Sequence, residues 1–357
     1  MSKEVFFIPA SEQEGTQILS EKTKKIFQRL DFRKNISKNS FVALKIHFGE
    51  TGNKGYIKPW WLLDSIRLIK KRTKRVFFTD TNTLYVGKRS NAADHMMLAH
   101  GHGFDVKGSE IPVIIADGLI GRNNDDIQIN KQRIKTAKIA SLFVDSDALV
   151  CLSHFTGHAL TGFGAALKNL GMGCASRAGK LDQHSDVHPR VDPKYCDLCQ
   201  TCFDFCPEQA ITEKEGKAFI VSEKCIGCGE CLVVCPRGAV KMRWDSDKIR
   251  IQEKMAEYAF AVNQIFGKRI VYLNFLIHIT KDCDCMCKGA SPFTKDIGIL
   301  ASYDPVALDQ ACVDMVNERN GKDSLKAQND VDWSAQLKHG EKIGLGSRDY
   351  EIVKLEE

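Results

Sequence analysis

At 357 residues, with 43% hydrophobic and 27% charged residues and a formal net charge of +6, the chain is long enough for two or three compact units. No apolar run approaches the length of a membrane span, and residues 1–10 lack the features of a signal peptide, so a soluble, cytoplasmic protein is expected. The basic stretch Lys70, Lys71, Arg72, Lys74, Arg75 follows an apolar-periodic segment and reads as a solvated helix end, so neither nucleic acid nor membrane is expected as a partner.

Before residue 190, runs rich in β-branched and aromatic residues at 5–9, 41–48, 75–80, 112–116 and 148–152 predict strands, while 16–30, 60–71 and 90–101 carry helical spacing. Such alternation predicts an α/β body with a mainly parallel sheet. Polar segments follow several strands, at the edge where open α/β sheets place their ligands. After the second strand, His47 and Glu50 stand three residues apart in a glycine-punctuated loop, as acid/base or metal groups or as satisfied turn residues. Asp80-Thr81-Asn82-Thr83 follows the third. After the fifth, His154 and His158 lead into Gly162, Gly164 and Lys168. Small residues at such a turn let backbone N–H groups meet an anion, to which Lys168 would add a point charge; relief of close packing is the other reading. His154, His158, Lys168, Cys174, Arg177, Lys180, His184 and His188 crowd into about 35 residues, a density that suggests a site.

Cys196, Cys199, Cys202 and Cys206, followed by Pro207, recur 29 residues later as Cys225, Cys228, Cys231 and Cys235, followed by Pro236. A cubane cluster takes four thiolates, one per iron. A C-x2-C-x2-C run wraps three of them around one face, and the fourth cysteine of each run ligates the other cluster. The expected ligand sets are therefore Cys196, Cys199, Cys202 and Cys235 for one [4Fe-4S] cluster and Cys225, Cys228, Cys231 and Cys206 for the second. Zinc usually takes two separated cysteine pairs, and disulfides need an oxidising compartment, so both fit the pattern less well. Two such clusters carry about two negative charges each, which brings the chain to roughly +2 and weakens any case for nucleic acid.

Beyond the cysteine runs, 248–266 reads as a helix, 269–279 as a buried strand, 296–301 as a further strand, and 304–317 as a helix with Asp304 as N-cap and Pro305 as its first residue. Two strands are too few to cover a sheet of their own. The expected organisation is an α/β body formed by 1–190 and 244–357, with a two-cluster ferredoxin-like α+β unit inserted at 191–243; two α/β lobes joined by the ferredoxin are the alternative. Cys283, Cys285 and Cys287 form a C-D-C-M-C run. On an extended segment their sulfurs share one face, and Cys283 and Cys285, with Cys174, are candidates for a further metal site or for thiol chemistry. Reduced thiols in a loop are the competing reading.

Residues 47–53 and 153–180, the two cysteine runs, the Cys283-Asp284-Cys285 element and residues 298–307 together resemble the iron-sulfur centre proteins of domain of unknown function 362, over nearly the whole chain. The resemblance implies an α/β body carrying a two-cluster ferredoxin insert, and an association with anaerobic, reductive metabolism. The expected function is electron transfer through two [4Fe-4S] clusters to a redox site in the α/β body, as in a ferredoxin-like oxidoreductase. Electrons would enter at one cube, cross to the other and reach an acceptor near the glycine-rich turn, with His47, His154 or His158 as proton donor. The counterpart is a redox partner protein or a small-molecule acceptor, and a flavin or another metal are both open in the body. A non-enzymatic electron carrier or cluster-assembly partner is the alternative. No G-x-S-x-G, Walker or G-x-G-x-x-G motif supports a hydrolase or transferase.

Overall fold

Eight extended runs pair into one sheet in the computed structural model, which describes residues 3–184, 188–242, 247–286 and 291–356. In chain order they are β1 (Glu4–Pro9), β2 (Val42–Lys45), β3 (Val76–Asp80), β4 (Val113–Ile115), β5 (Ala148–His154), β6 (Ile270–Leu276), β7 (Gly298–Ser302) and β8 (Glu351–Lys354). Their spatial order is β8-β1-β7-β6-β5-β2-β3-β4. Strand β7 runs antiparallel to both β1 and β6, and every other pairing is parallel. The mainly parallel α/β sheet is therefore present, with strands from both sides of the cysteine runs sharing it.

Alternation of side chains along each strand divides the apolar residues between two cores. Val42, Leu44, Val76, Phe78, Val150, Leu152, Leu273 and Phe275 face one way, against helices α1 (Thr16–Arg29), α2 (Leu63–Lys70) and α3 (Ala92–Gly101). Ala43, Phe77, Leu149, Cys151, Tyr272 and Leu300 face the other. There they meet α4 (Ala166–Gly171), α6 (Lys248–Phe266), α7 (Pro305–Asn320) and α8 (Ser334–Lys342), while α5 (Arg177–His184) packs beside α6. A Val, Leu, Ile or Phe side chain fully withdrawn from water contributes about 1.5–3 kcal/mol, so the central strands β5 and β6, buried on both faces, read as continuous apolar runs. Asp304 caps α7 as expected, accepting from Val306 N and Ala307 N at 2.9 and 3.0 Å, with Pro305 in its first turn.

The cysteine-rich segment makes its own small α+β unit. Arg190–Val191 pairs with Val240–Lys241 and Ile211–Lys214 with Lys217–Ile220, both antiparallel, and two one-turn helices, Thr201–Asp204 and Glu230–Val234, carry the third cysteine of each run. Its core is Cys202, Ile211, Ala218, Ile220, Cys231 and Val240. Arg243, the last residue expected in this unit, lies outside the described residues. Among the described residues no helix is long and apolar enough to cross a membrane.

Candidate functional site

Strands β2, β3, β5 and β6 run parallel, so their C-terminal ends share one edge, and charged groups converge there. Lys45, ending β2 and 1% exposed, donates to Asn169 Oδ1 (2.7 Å) and pairs with Asp80 Oδ1 (2.9 Å), the last residue of β3. Arg89 reaches Asp80 through Nη1 (3.4 Å) and Glu50 Oε2 through Nε (3.1 Å), and Tyr85 Oη donates to the same Glu50 oxygen (3.1 Å). Burial alone would raise the Asp80 carboxyl, but Lys45 and Arg89, paired with its two oxygens, outweigh it and hold the group well below the usual carboxylate range. Glu50 is thus a partner in a buried ion pair. A lysine inside the buried run Val-Ala-Leu-Lys was the sequence signal for this network, since an apolar strand holds a charge only when it is paired.

The three candidate histidines differ. His47 accepts from Gly49 N at Nδ1 (3.0 Å), and His158 accepts at Nδ1 from Leu160 N and Thr161 N (both 3.2 Å). Burial lowers both well below the ordinary value, reinforced by Arg89 at His47 and by Lys168 at His158. Each is a neutral ring whose Nε2 carries the proton. His154 Nδ1 faces both oxygens of Asp284 (3.0 and 2.9 Å) while Nε2 faces the Ile277 carbonyl (2.8 Å). Both partners only accept, so both ring nitrogens donate and His154 is an imidazolium. Burial opposes that charge, but Asp284 and the Ile277 carbonyl prevail and raise His154. Asp284 is in turn pulled down to about 2 against its own burial, by His154 first. Partly buried Lys168 is pushed down to about 8 by burial, which Asp284 counters.

The glycine-rich turn is built for packing. Residues 156–158 and 162–164 form a short hairpin, in which Gly162 has φ +76° and a Cβ there would lie 2.4 Å from Trp333 Cβ; one on Gly164 would lie 2.8 Å from Lys168 Cδ. The N–H groups that open α4 are taken by the chain's own anion: Ala166 N and Leu167 N donate to Asp309 Oδ1 and Oδ2, both at 2.9 Å. The helix end of the expected anion cradle, just after Gly162 and Gly164, is thus filled from within by Asp309. Cys174 is fully buried beneath the sheet, 3.8 Å from Asn169 O, and burial pushes its thiol far up.

Cys283 and Cys285 are joined as a disulfide, with Cα atoms 5.3 Å apart. The segment is a turn closed by Met286 N to Cys283 O (3.0 Å), not an extended strand, which is why the two sulfurs meet instead of lining a face with a third. Cys287 lies outside the described residues. The structure therefore does not gather Cys174, Cys283 and Cys285 as metal ligands.

The eight motif cysteines line two cavities in crossed sets. One is bounded by Cys196, Cys199, Cys202 and Cys235, the other by Cys206, Cys225, Cys228 and Cys231. Among the described residues no three His, Cys, Asp or Glu side chains close on a single metal ion; a cubane instead separates its thiolates, each capping its own iron. Backbone N–H groups point at sulfur in register: Ala210 N to Cys206 Sγ and Ala239 N to Cys235 Sγ, each 3.2 Å and each four residues on. Burial and then Cys235 push the Cys202 thiol up to about 11. Cys199 is exposed, whereas Cys231 is buried.

The second run faces the α/β body. Glu230, beside Cys231, is 1% exposed and its Oε1 takes Arg177 Nη1 at 2.7 Å and Arg122 Nε at 3.3 Å. Arg177 also donates to Thr83 O (3.3 Å) and to Ser90 O, and Arg122 to Phe205 O (2.7 Å). The loop after β3, residues 81–90, thus supports the Asp80–Arg89–Glu50 network on one side and the insert on the other. Neither Arg122 nor Glu230 stood out in the sequence, because a pairing across 53 or more residues leaves no local pattern.

A family model described as a domain of unknown function (DUF362) matches residues 42–314. A stretch of 52 residues is 46% identical to the indolepyruvate oxidoreductase subunit IorA of Methanothermobacter marburgensis, covering 15% of this chain and 8% of that one. Another match of 52 residues is 40% identical to an uncharacterized ferredoxin of Methanocaldococcus jannaschii, covering 14% and 31%. The chain thus spans less than a third of the length of these relatives. Among solved structures, the lactate racemase apoprotein of Thermoanaerobacterium thermosaccharolyticum superposes with a TM-score of 0.43 at 14% identity, over 89% of this chain and 58% of that one.

Proposed function

The chain belongs to the DUF362 family, and from that premise we propose that it is an iron-sulfur electron-transfer protein whose two [4Fe-4S] clusters serve a redox site in the α/β body. The observation that carries this reading is the crossing of the two cysteine sets: each cavity draws three thiols from one run and the fourth from the other, as paired cubes require. Cys196, Cys199, Cys202 and Cys235 would hold the outer cluster, and Cys206, Cys225, Cys228 and Cys231 the inner one. Bound there, the clusters supply one-electron redox chemistry. Names such as ferredoxin and oxidoreductase subunit among the partial relatives support the same class.

Residues 191–243 act as the insert and 1–190 with 244–357 as the body. The inner cysteine set is the one beside Glu230 and Arg177, and exposed Cys199 belongs to the outer set, so a redox partner protein docks at the outer set and electrons move inward. At the shared strand ends His47 and His158, as neutral rings, present Nε2–H as hydrogen-bond donors to an acceptor. His154, with both nitrogens engaged, positions Asp284 instead. Anaerobic purification should give about eight irons and eight sulfides per chain, and Cys231→Ser should remove about half of them. A zinc content matching the thiols, or no iron after reconstitution, would reject the reading.

A further inference from the structure

We infer that the Cys283–Cys285 pair, held beside His154 at the C-terminal strand ends, is a dithiol/disulfide site that accepts two electrons delivered through the inner cysteine set. The inference rests on the two-cluster reading above. Among the described cysteines only these two are joined by a disulfide.

Stability does not account for the bond. A disulfide stabilises by restricting the unfolded chain, and the effect grows with the loop that it closes; this one joins residues two apart. What the turn does have is support on both sides. Asp284, between the two cysteines, is fixed by two contacts to His154 at 2.9 and 3.0 Å. Thr280 Oγ1 donates to Asp282 O at 2.7 Å, and Tyr85 Oη, whose proton goes to Glu50, packs 3.5 Å from Cys285 O. None of these contacts uses sulfur, so the turn stays in place when the S–S bond opens. Cys283 is 7% exposed while Cys285 is partly open to solvent, an inner and an outer sulfur.

The same loop touches the route from the insert. Tyr85, Thr83 and Ser90 belong to residues 81–90; Thr83 O and Ser90 O bind Arg177, which binds Glu230, the neighbour of Cys231. A contiguous chain of contacts therefore runs from the inner cysteine set to Cys285. The chemistry balances with what two cubes hold. The disulfide takes two electrons, one from each reduced cluster, and its S–S bond breaks. Two protons from solvent, which reaches Cys285, complete two thiols, while each cluster is oxidised by one electron. A low-potential one-electron donor of the ferredoxin class reloads the clusters.

The test uses anaerobically purified holoprotein. Reductive titration with dithionite, followed by cluster absorbance, should consume about four electrons per chain in the wild type and about two in Cys283→Ser. Acid quenching and alkylation before and after titration should show the peptide bearing Cys283 and Cys285 unlabelled at first and then labelled at both. In Cys228→Ser, which interrupts the inner set, the pair should stay oxidised on the same timescale. Two electrons in both proteins, labelling before any reduction, or reduction of the pair at the wild-type rate in Cys228→Ser would each overturn the inference. With iron and cluster absorbance intact, such a result leaves the two-cluster reading standing; absence of clusters would remove both.

Discussion

Asp309 shows how one buried carboxylate settles a local structure. It accepts from Ala166 N, Leu167 N and Asn274 Nδ2 (2.9, 2.9 and 2.7 Å), and burial pushes it up to about 6. Asp309→Ala would strand two buried N–H groups and should cost about 3 kcal/mol in urea unfolding. The pH dependence has a definite sign. A folded-state pKa above the ordinary 3.8 contributes stability that is present below 3.8 and lost as pH rises through about 6. The stability difference between wild type and Asp309→Asn should therefore fall by about 1–3 kcal/mol between pH 4 and 7; a constant difference would mean that the carboxyl titrates normally. At this scale the sequence is legible where chemistry is local, as with the Asp304 cap. It misleads where a distant partner decides. His154 reads as a proton donor until Asp284 and Ile277, more than a hundred residues on, occupy both nitrogens.

Among the elements, the cysteine runs carry the same backbone on different side chains. Leu198, Gln200 and Gln209 have φ of 56°, 63° and 47°, and Gly227, Gly229 and Gly238, each 29 residues later, have 68°, 75° and 56°. The second run satisfies left-handed geometry with glycine, while the first places Leu and Gln there, at roughly 1–2 kcal/mol each. Gly227 and Gly229 differ in surroundings. An added Cβ at Gly227 meets only Leu181 at 3.8 Å, whereas at Gly229 it meets Leu84 at 3.0 Å and Arg177 at 3.2 Å. Gly227→Ala should therefore cost about 1 kcal/mol and Gly229→Ala about 2 kcal/mol or more, read from thermal unfolding with iron retained; equal effects would mean that the contact with Arg177 carries no weight. The buried strands were legible as apolar runs, since burial on both faces leaves nothing else to select. Glu351–Lys354 was not, because this edge strand is mostly exposed and pairs only with β1.

Across the whole molecule, stability is unevenly shared. The insert core has six buried residues, two of them motif cysteines, whereas the body has two extensive cores around one sheet. On the two-cluster reading, a core that small should depend on its clusters for much of its stability. Iron chelation should open 191–242 to proteolysis while the body keeps its main thermal transition; a wholesale loss of far-UV circular dichroism on chelation would show that the body depends on the insert. The sheet takes strands from both sides of the cysteine runs, whereas the seam beside the second run left no local pattern, since it rests on Arg177, Arg122 and Glu230. The loop of residues 81–90 sits on that seam and on the charged network at the strand ends at once: Arg89 binds Asp80 and Glu50, while its neighbour Ser90 binds Arg177. A substitution on either side will shift the other through one shared segment, so the free-energy effects of changes at Glu50 and at Glu230 are not independent, and neither can be assigned to its own site from a single variant.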